Sequence, residues 1–240
     1  MHKRLLILLL SILVLAFLLK ANGLLPEITL PKLPVFHVQS SEEHEEQPQI
    51  SNAQVITDPV LQEPELPTGC ESVALTMALN VYGCGLDKTT IARDWLVKND
   101  DNYVTGYVGD PFTDKGAGIF VPGLCETANN YLKSNGRGQR AYDVTGMELS
   151  ELLDYIAGGL PVVVWVTVDY ESPRYSGSQI EYNGKTYRWF SNEHCVMLGG
   201  FNRNDGTVMI YDPKQGQITK DMTQFQSLYD EIGRYALLIV

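Results

Sequence analysis

Glu193-His194-Cys195-Val-Met-Leu-Gly-Gly-Phe201 and Thr207-Val-Met-Ile-Tyr211-Asp212-Pro213, joined through Asn204-Asp205-Gly206, are the stretch on which the fold turns. Both arms are apolar and the linker is turn chemistry, so the pattern predicts two antiparallel strands, Cys195–Phe201 and Thr207–Tyr211. His194 stands about nine residues before the turn and Asp212 about six after it. The two therefore reach the same end of the ladder, though not in direct register. A carboxylate placed there can accept the imidazole N–H and orient the ring. Taken singly, each has a plainer reading: a satisfied structural His, and a turn Asp before Pro.

More strands are expected on either side. Pro161-Val-Val-Val-Trp-Val-Thr-Val168 is continuous and β-branched, the pattern of a strand buried on both faces. Asn183-Gly184 between Ile180-Glu-Tyr182 and Lys185-Thr-Tyr-Arg-Trp189 is a hairpin signal. Tyr235–Val240 closes as a last strand. The N-terminal half is helical instead. Cys70–Tyr82 carries Val73, Ala74, Met77, Ala78 and Val81 on one stripe and stops at Gly83. Thr68 or Gly69 can start it, with Glu71 at the positive end of the helix dipole. Asp87–Val97, Pro122–Leu132 and Met147–Ala157 are further helices, the last behind a Thr145-x-x-Glu148 capping pattern. Helices first and an antiparallel sheet after them give an α+β class.

Charge and composition restrict the function. The 240 residues hold 18 basic and 29 acidic side chains, a net −11. Three of the basic ones, Lys3, Arg4 and Lys20, flank a run from Leu5 to Leu19 that is apolar apart from Ser11. Residues 1–21 read as a signal sequence or N-terminal membrane anchor. Leu19-Lys20-Ala21 is a poor cleavage site, which favours the anchor. With Lys3 and Arg4 held inside, the remainder faces out of the cytoplasm. Residues 22–54 read as a disordered stalk, broken by Pro26, Pro31 and Pro34 and carrying Glu42, Glu43, Glu45 and Glu46. The globular domain is expected over 55–240. The rest of the chain is left with 15 basic against the 29 acidic residues, which argues against a nucleic-acid partner.

The same division sorts the reactive side chains. His2, His37 and His44 fall outside the domain and His194 alone falls within it. With one His and no Cys-x-x-Cys, no zinc site or other metal is expected, and no cofactor loop occurs. Cys70 sits where a loop ends and a helix begins, so unpaired N–H groups and the helix dipole should lower its pKa. The plainer reading of a lone Cys is a small buried apolar residue. Cys195, next to His194 on a strand, points to the opposite face. Cys125, also near a helix start, is the rival nucleophile, and Cys84 and Cys125 could form a bridge.

The order Cys, His, Asp, with the Cys at a helix start and the others on strands, resembles the papain-like cysteine peptidases. The nearer resemblance is to their bacterial branch related to the bacteriocin-leader (double-glycine) peptidases. Four stretches carry it: Gln62-Glu-Pro-Glu-Leu-Pro-Thr-Gly-Cys70-Glu-Ser, Gly158-Gly-Leu-Pro161-Val-Val-Val, His194-Cys-Val-Met-Leu-Gly-Gly-Phe and Tyr211-Asp212-Pro213. The resemblance implies Cys70 as nucleophile, His194 as general base and then acid, and Asp212 as its orienter. Gln62 matches the position of the family's oxyanion-stabilising Gln, though the gap of eight to Cys70 is longer than in papain-like enzymes generally. The implied substrate is a peptide or protein. Leader specificity is not carried over, because the chain shows no ATPase and no multi-span region. A cell-wall peptide hydrolase or amidase with the same residues, and a catalytically silent peptide-binding surface module, are the other readings.

Overall fold

A computed structural model of the chain describes residues 50–240. The signal or anchor read at 1–21, and the stalk as far as residue 49, lie outside the described residues. Among the described residues no helix is long and apolar enough to cross a membrane.

The core is a seven-stranded antiparallel sheet in the order β2(Ala141–Asp143), β9(Ala236–Ile239), β3(Val162–Thr167), β6(Glu193–Asn202), β7(Thr207–Asp212), β8(Gly216–Asp221). The seventh strand, β1(Asn52–Gln54), pairs with the far end of β6, Gln54 lying opposite Gly200. The sheet thus starts inside the segment read as a stalk. Three residues of unremarkable composition carry no strand signal until β6 supplies the partner. The β-branched run forms β3, buried at every position and flanked by β6 and β9, as a strand covered on both faces must be. The Asn183-Gly184 hairpin is present as β4(Tyr175–Tyr182) and β5(Lys185–Phe190) and forms a separate two-stranded sheet. Both turn residues have positive φ, 50° and 75°.

Helix α1(Cys70–Asn80) packs on β6, and its residues from Cys70 to Leu79 are all buried. The one-sided stripe read from the sequence therefore understates it: this is a helix enclosed on all sides. Helices α2(Val121–Ser134) and α3(Leu149–Ala157) stand where expected, Pro122 in the first turn of α2. The start of α3 differs. Glu148, not Thr145, is the N-cap, and its N–H donates to Glu151 Oε2 at 2.8 Å. The helix expected over Asp87–Val97 shrinks to a five-residue turn, Ile91–Trp95. The Asp87 carboxylate does bind the N–H groups of Thr89 and Thr90, but Leu96 turns extended at ψ 114° and ends it. Strand β8 and helix α4(Met222–Ile232) were not read from the sequence. The helix is capped by the Asp221 side chain on the Gln224 N–H and ends at Gly233 in the left-handed region.

Candidate active site

His194 and Asp212 meet through the β6–β7 ladder. Met197 lies opposite Tyr211, and continuing that register sets Asp212 opposite Val196. The diagonal neighbour on the same face is His194, within reach of a short side chain and a ring. A bulge between Leu198 and Gly200 absorbs the extra residue that makes the two arms unequal. A side chain at Gly199 would meet the Tyr211 ring at 2.5 Å, so only glycine fits the bulge. The outcome is a hydrogen bond of 2.8 Å between His194 Nε2 and Asp212 Oδ1, with both side chains almost wholly buried. Asp212 Oδ1 also accepts the Lys214 N–H at 2.7 Å, and Oδ2 accepts the Tyr170 hydroxyl at 2.9 Å. Burial pushes the Asp212 carboxyl up, but the His194 contact, the Lys214 N–H and the Tyr170 hydroxyl outweigh it and hold it below the usual carboxylate range. With Nε2 engaged, Nδ1 is the ring nitrogen left for other chemistry.

Gln62 is positioned by the turn after Asp212. Its backbone N–H donates to Pro213 O at 2.8 Å, and its carbonyl accepts the Leu66 N–H at 3.0 Å. The side chain is 2% exposed. Nε2 donates to Pro67 O at 2.9 Å, which leaves its second hydrogen free, and Oε1 has no hydrogen-bond partner. Cys70 is the first residue of α1, where backbone N–H groups lack intrahelical partners. Cys70, His194 and Gln62 line one cavity of about 200 Å³, together with Glu71, Glu193 and Trp189.

The structure brings these residues to one cavity but does not join them all. Cys70 Sγ makes its hydrogen bond to Glu71 Oε2 at 3.4 Å, and no hydrogen bond links it to His194. Its pKa also departs from the expected direction. Burial pushes the thiol up, and the carboxyl groups of Glu71 and Glu193 push the same way, so the helix start does not leave a ready thiolate. The other cysteines are unbonded, and Cys84 and Cys125 form no bridge. Cys125 lies within α2, buried and outside the residues that line the cavity, and burial raises its pKa. Cys195 is buried, as expected of a side chain on the other face of β6.

Sequence reasoning missed two parts of the site. Tyr170, the second partner of Asp212, follows Asp169, and both hold positive φ, 61° and 55°. No sequence pattern marks such a pair of left-handed residues, and strain of this kind gathers at functional sites. The second part is Glu71 with Glu193, each adjacent in sequence to a singled-out residue. Glu71 Oε1 accepts the Ile119 N–H at 2.8 Å. Burial raises the Glu71 carboxyl to about 7 and, with the charge of Glu71 beside it, lifts Glu193 well above the usual range. The available signal was a glutamate directly beside each reactive residue.

Comparison with known proteins agrees with this architecture. The chain is 28% identical over 186 residues to the uncharacterized protein YvpB of Bacillus subtilis (strain 168), covering 73% of this chain and 70% of YvpB. A crystal structure from Bacillus anthracis, described as that of a C39-like peptidase, superposes with a TM-score of 0.67 at 28% identity, over 79% of this chain and 97% of that one. A double-glycine motif protease from an AMS/PCAT transporter, solved with its leader peptide, gives 0.46 at 15% identity over 78% of this chain and 92% of that one. The fold is α+β, a helical part that carries the Cys packed on an antiparallel sheet that carries His and Asp, and it is shared with the C39-like peptidase structure. The model of the Peptidase_C39 like family matches residues 48–237, nearly the whole chain beyond its N-terminal segment, and the chain belongs to that family.

Proposed function

We propose that this protein is a cysteine peptidase that hydrolyses a peptide bond with Cys70 as nucleophile, His194 as base and acid, Asp212 as orienter and Gln62 as an oxyanion donor. The observation that carries the reading is the buried His194–Asp212 pair, of which His194 lines the same cavity as Cys70. In this reading the Cys70 thiol turns from Glu71 toward His194 Nδ1 and gives up its proton there. The thiolate attacks the substrate carbonyl. The second hydrogen on Gln62 Nε2 and the Cys70 N–H meet the developing oxyanion. The His194 imidazolium, stabilised by Asp212, protonates the leaving amine, and water releases the acyl-enzyme. The cationic state of His194 needs a buried negative charge beside it, and the depressed pKa of Asp212 supplies one.

The test is hydrolysis of a peptide library by the purified protein beside Cys70→Ala. Cleavage abolished by Cys70→Ala, with iodoacetamide labelling Cys70 before Cys84 or Cys125, supports the assignment. Cleavage that survives Cys70→Ala overturns it. The reading also places the domain outside the cytoplasm, held to the membrane by residues 1–21, on the strength of Lys3 and Arg4 before the apolar run. Protease added to intact cells should then remove the domain, and full protection would refute that placement.

A further inference from the structure

Behind the nucleophile lies a set of groups that the peptidase reading leaves without a task. Cys70 Sγ and one carboxylate oxygen from each of Glu71 and Glu193 all lie within 4.8 Å of one another. Among the described residues no Lys, Arg or His forms an ion pair with either glutamate. Glu193 Oε1 is buried and has no hydrogen-bond partner at all. An enclosed acceptor without a partner, beside the buried Glu71 carboxyl, is costly, and a bound cation removes that cost.

We propose that Cys70, Glu71 and Glu193 form a binding site for a thiophilic divalent cation of the zinc class, and that the bound ion reversibly blocks the nucleophile. The binding half stands on the ligand geometry alone, while the inhibition half rests on Cys70 being the nucleophile. A tetrahedral ion with sulfur at about 2.3 Å and carboxylate oxygen at about 2.1 Å sets the two ligands roughly 3.6 Å apart. Cys70 Sγ and Glu71 Oε2 are already 3.4 Å apart. Glu193 needs a shift of only about 1 Å to complete three protein ligands, with the fourth position open to water, as in other three-ligand zinc sites.

Gly118 lets the two carboxylates approach: a Cβ there would stand 2.5 Å from Glu71 Oε1, 2.9 Å from the Trp189 ring and 3.4 Å from Glu193 Oε2, so a side chain would push them apart. The ligand set selects the metal: thiolate disfavours magnesium and calcium, and zinc accepts sulfur and carboxylate together. An organic ammonium fits less well. A donor held among three atoms this close to Sγ would keep the scissile carbonyl of its own molecule from the sulfur. Binding breaks the Cys70 S–H bond and forms a sulfur–metal bond; the proton leaves to solvent, and no oxidation state changes. Because the sulfur must lose its proton for the metal to bind, uptake strengthens as pH rises.

The experiment uses the full chain, cleared of metal by chelator and titrated with Co²⁺. A sulfur-to-cobalt charge-transfer band that saturates at one equivalent, is absent in Cys70→Ala and is displaced by Zn²⁺ supports the site. Glu193→Gln should weaken the band's midpoint by at least about ten-fold. Its far-UV circular dichroism and urea midpoint should stay close to those of the wild type, which shows that the variant is folded. Zn²⁺ should slow alkylation of Cys70 by iodoacetamide in the wild type, and EDTA should restore it. A band that persists in Cys70→Ala, or equal affinity in Glu193→Gln, overturns the proposal and leaves the glutamates as a proton-sharing pair. A protein without peptidase activity that still gives the band supports the site, so the two readings fail separately.

Discussion

Replacing Glu71 by Gln asks whether the carboxyl beneath Cys70 is as unfavourably placed as its burial implies. Glu71 is fully enclosed at the start of α1, and burial lifts its pKa from an ordinary 4.5 to about 7. The folded protein thus keeps this proton over a range where the unfolded chain has lost it. Below pH 4.5 both states are protonated and Glu71 contributes nothing to the pH dependence. Between 4.5 and 7 the unfolded state gains from ionisation and the folded state does not, so stability falls as pH rises. Above 7 the loss is complete. At about 1.36 kcal/mol per pH unit, the interval from 4.5 to about 7 amounts to about 3 kcal/mol. An amide in this place keeps an oxygen to accept the Ile119 N–H and removes the titration. The assay is urea unfolding of wild type and Glu71→Gln at pH 4, 6 and 8. The stability of the variant relative to wild type should improve by about 3 kcal/mol from pH 4 to pH 8, most of it between 5 and 7. Two stability curves that run parallel across that range would show that Glu71 ionises normally, and would refute the account of a buried acid pair behind the nucleophile.

Other consequences are open to direct measurement. Asp212→Asn should lower kcat by about 10³–10⁴-fold with the fold intact by circular dichroism, because the ring loses its orienter and the imidazolium its counter-charge; a loss under ten-fold would remove Asp212 from the mechanism. Gln62→Ala should cost about 10²–10³ in kcat with little change in KM, since the amide would act on the oxyanion and not on the bound ground state. Tyr170→Phe removes the 2.9 Å hydrogen bond to Asp212 Oδ2 and should cost about 1.5–3 kcal/mol at neutral pH. The Asp212 carboxyl is held low in the folded state, so its stabilising contribution is present above the unfolded pKa and lost as pH falls through the folded one. The Tyr170→Phe deficit should therefore shrink on acidification, and a deficit that grows in acid would contradict the assignment.

Periodicity read well wherever one element decides its own state. The β3 run and the Asn183-Gly184 hairpin carry their conformations in local chemistry, and both formed as expected. Strand β1 and strand β8 carry none, because each is a strand only by pairing with β6 or β7. The short turn at Ile91–Trp95 shows the converse: Asp87 begins a helix locally, and the extended conformation at Leu96 stops it. For the site, placement at the same end of the two strands joined by the Asn204-Asp205-Gly206 turn was enough to pair His194 with Asp212. The electrostatics at Cys70 were not legible. A helix start argues for a lowered pKa, and burial of the thiol, with the carboxyls of Glu71 and Glu193 beside it, reverses the sign.

By itself, then, the sequence determined the α+β class and the pairing of His194 with Asp212, because turn chemistry and strand alternation are local and fix which side chains share a face; Cys70 stood out at a helix start, and Gln62 was named by the family resemblance alone. The tertiary structure decided what lies around them. It set Tyr170 on Asp212, moored the Gln62 loop on Pro213, and packed Glu71 and Glu193 against the Cys70 sulfur. Those contacts join residues far apart in the chain, and the burial that gives them their energies exists only once α1 has docked on β6.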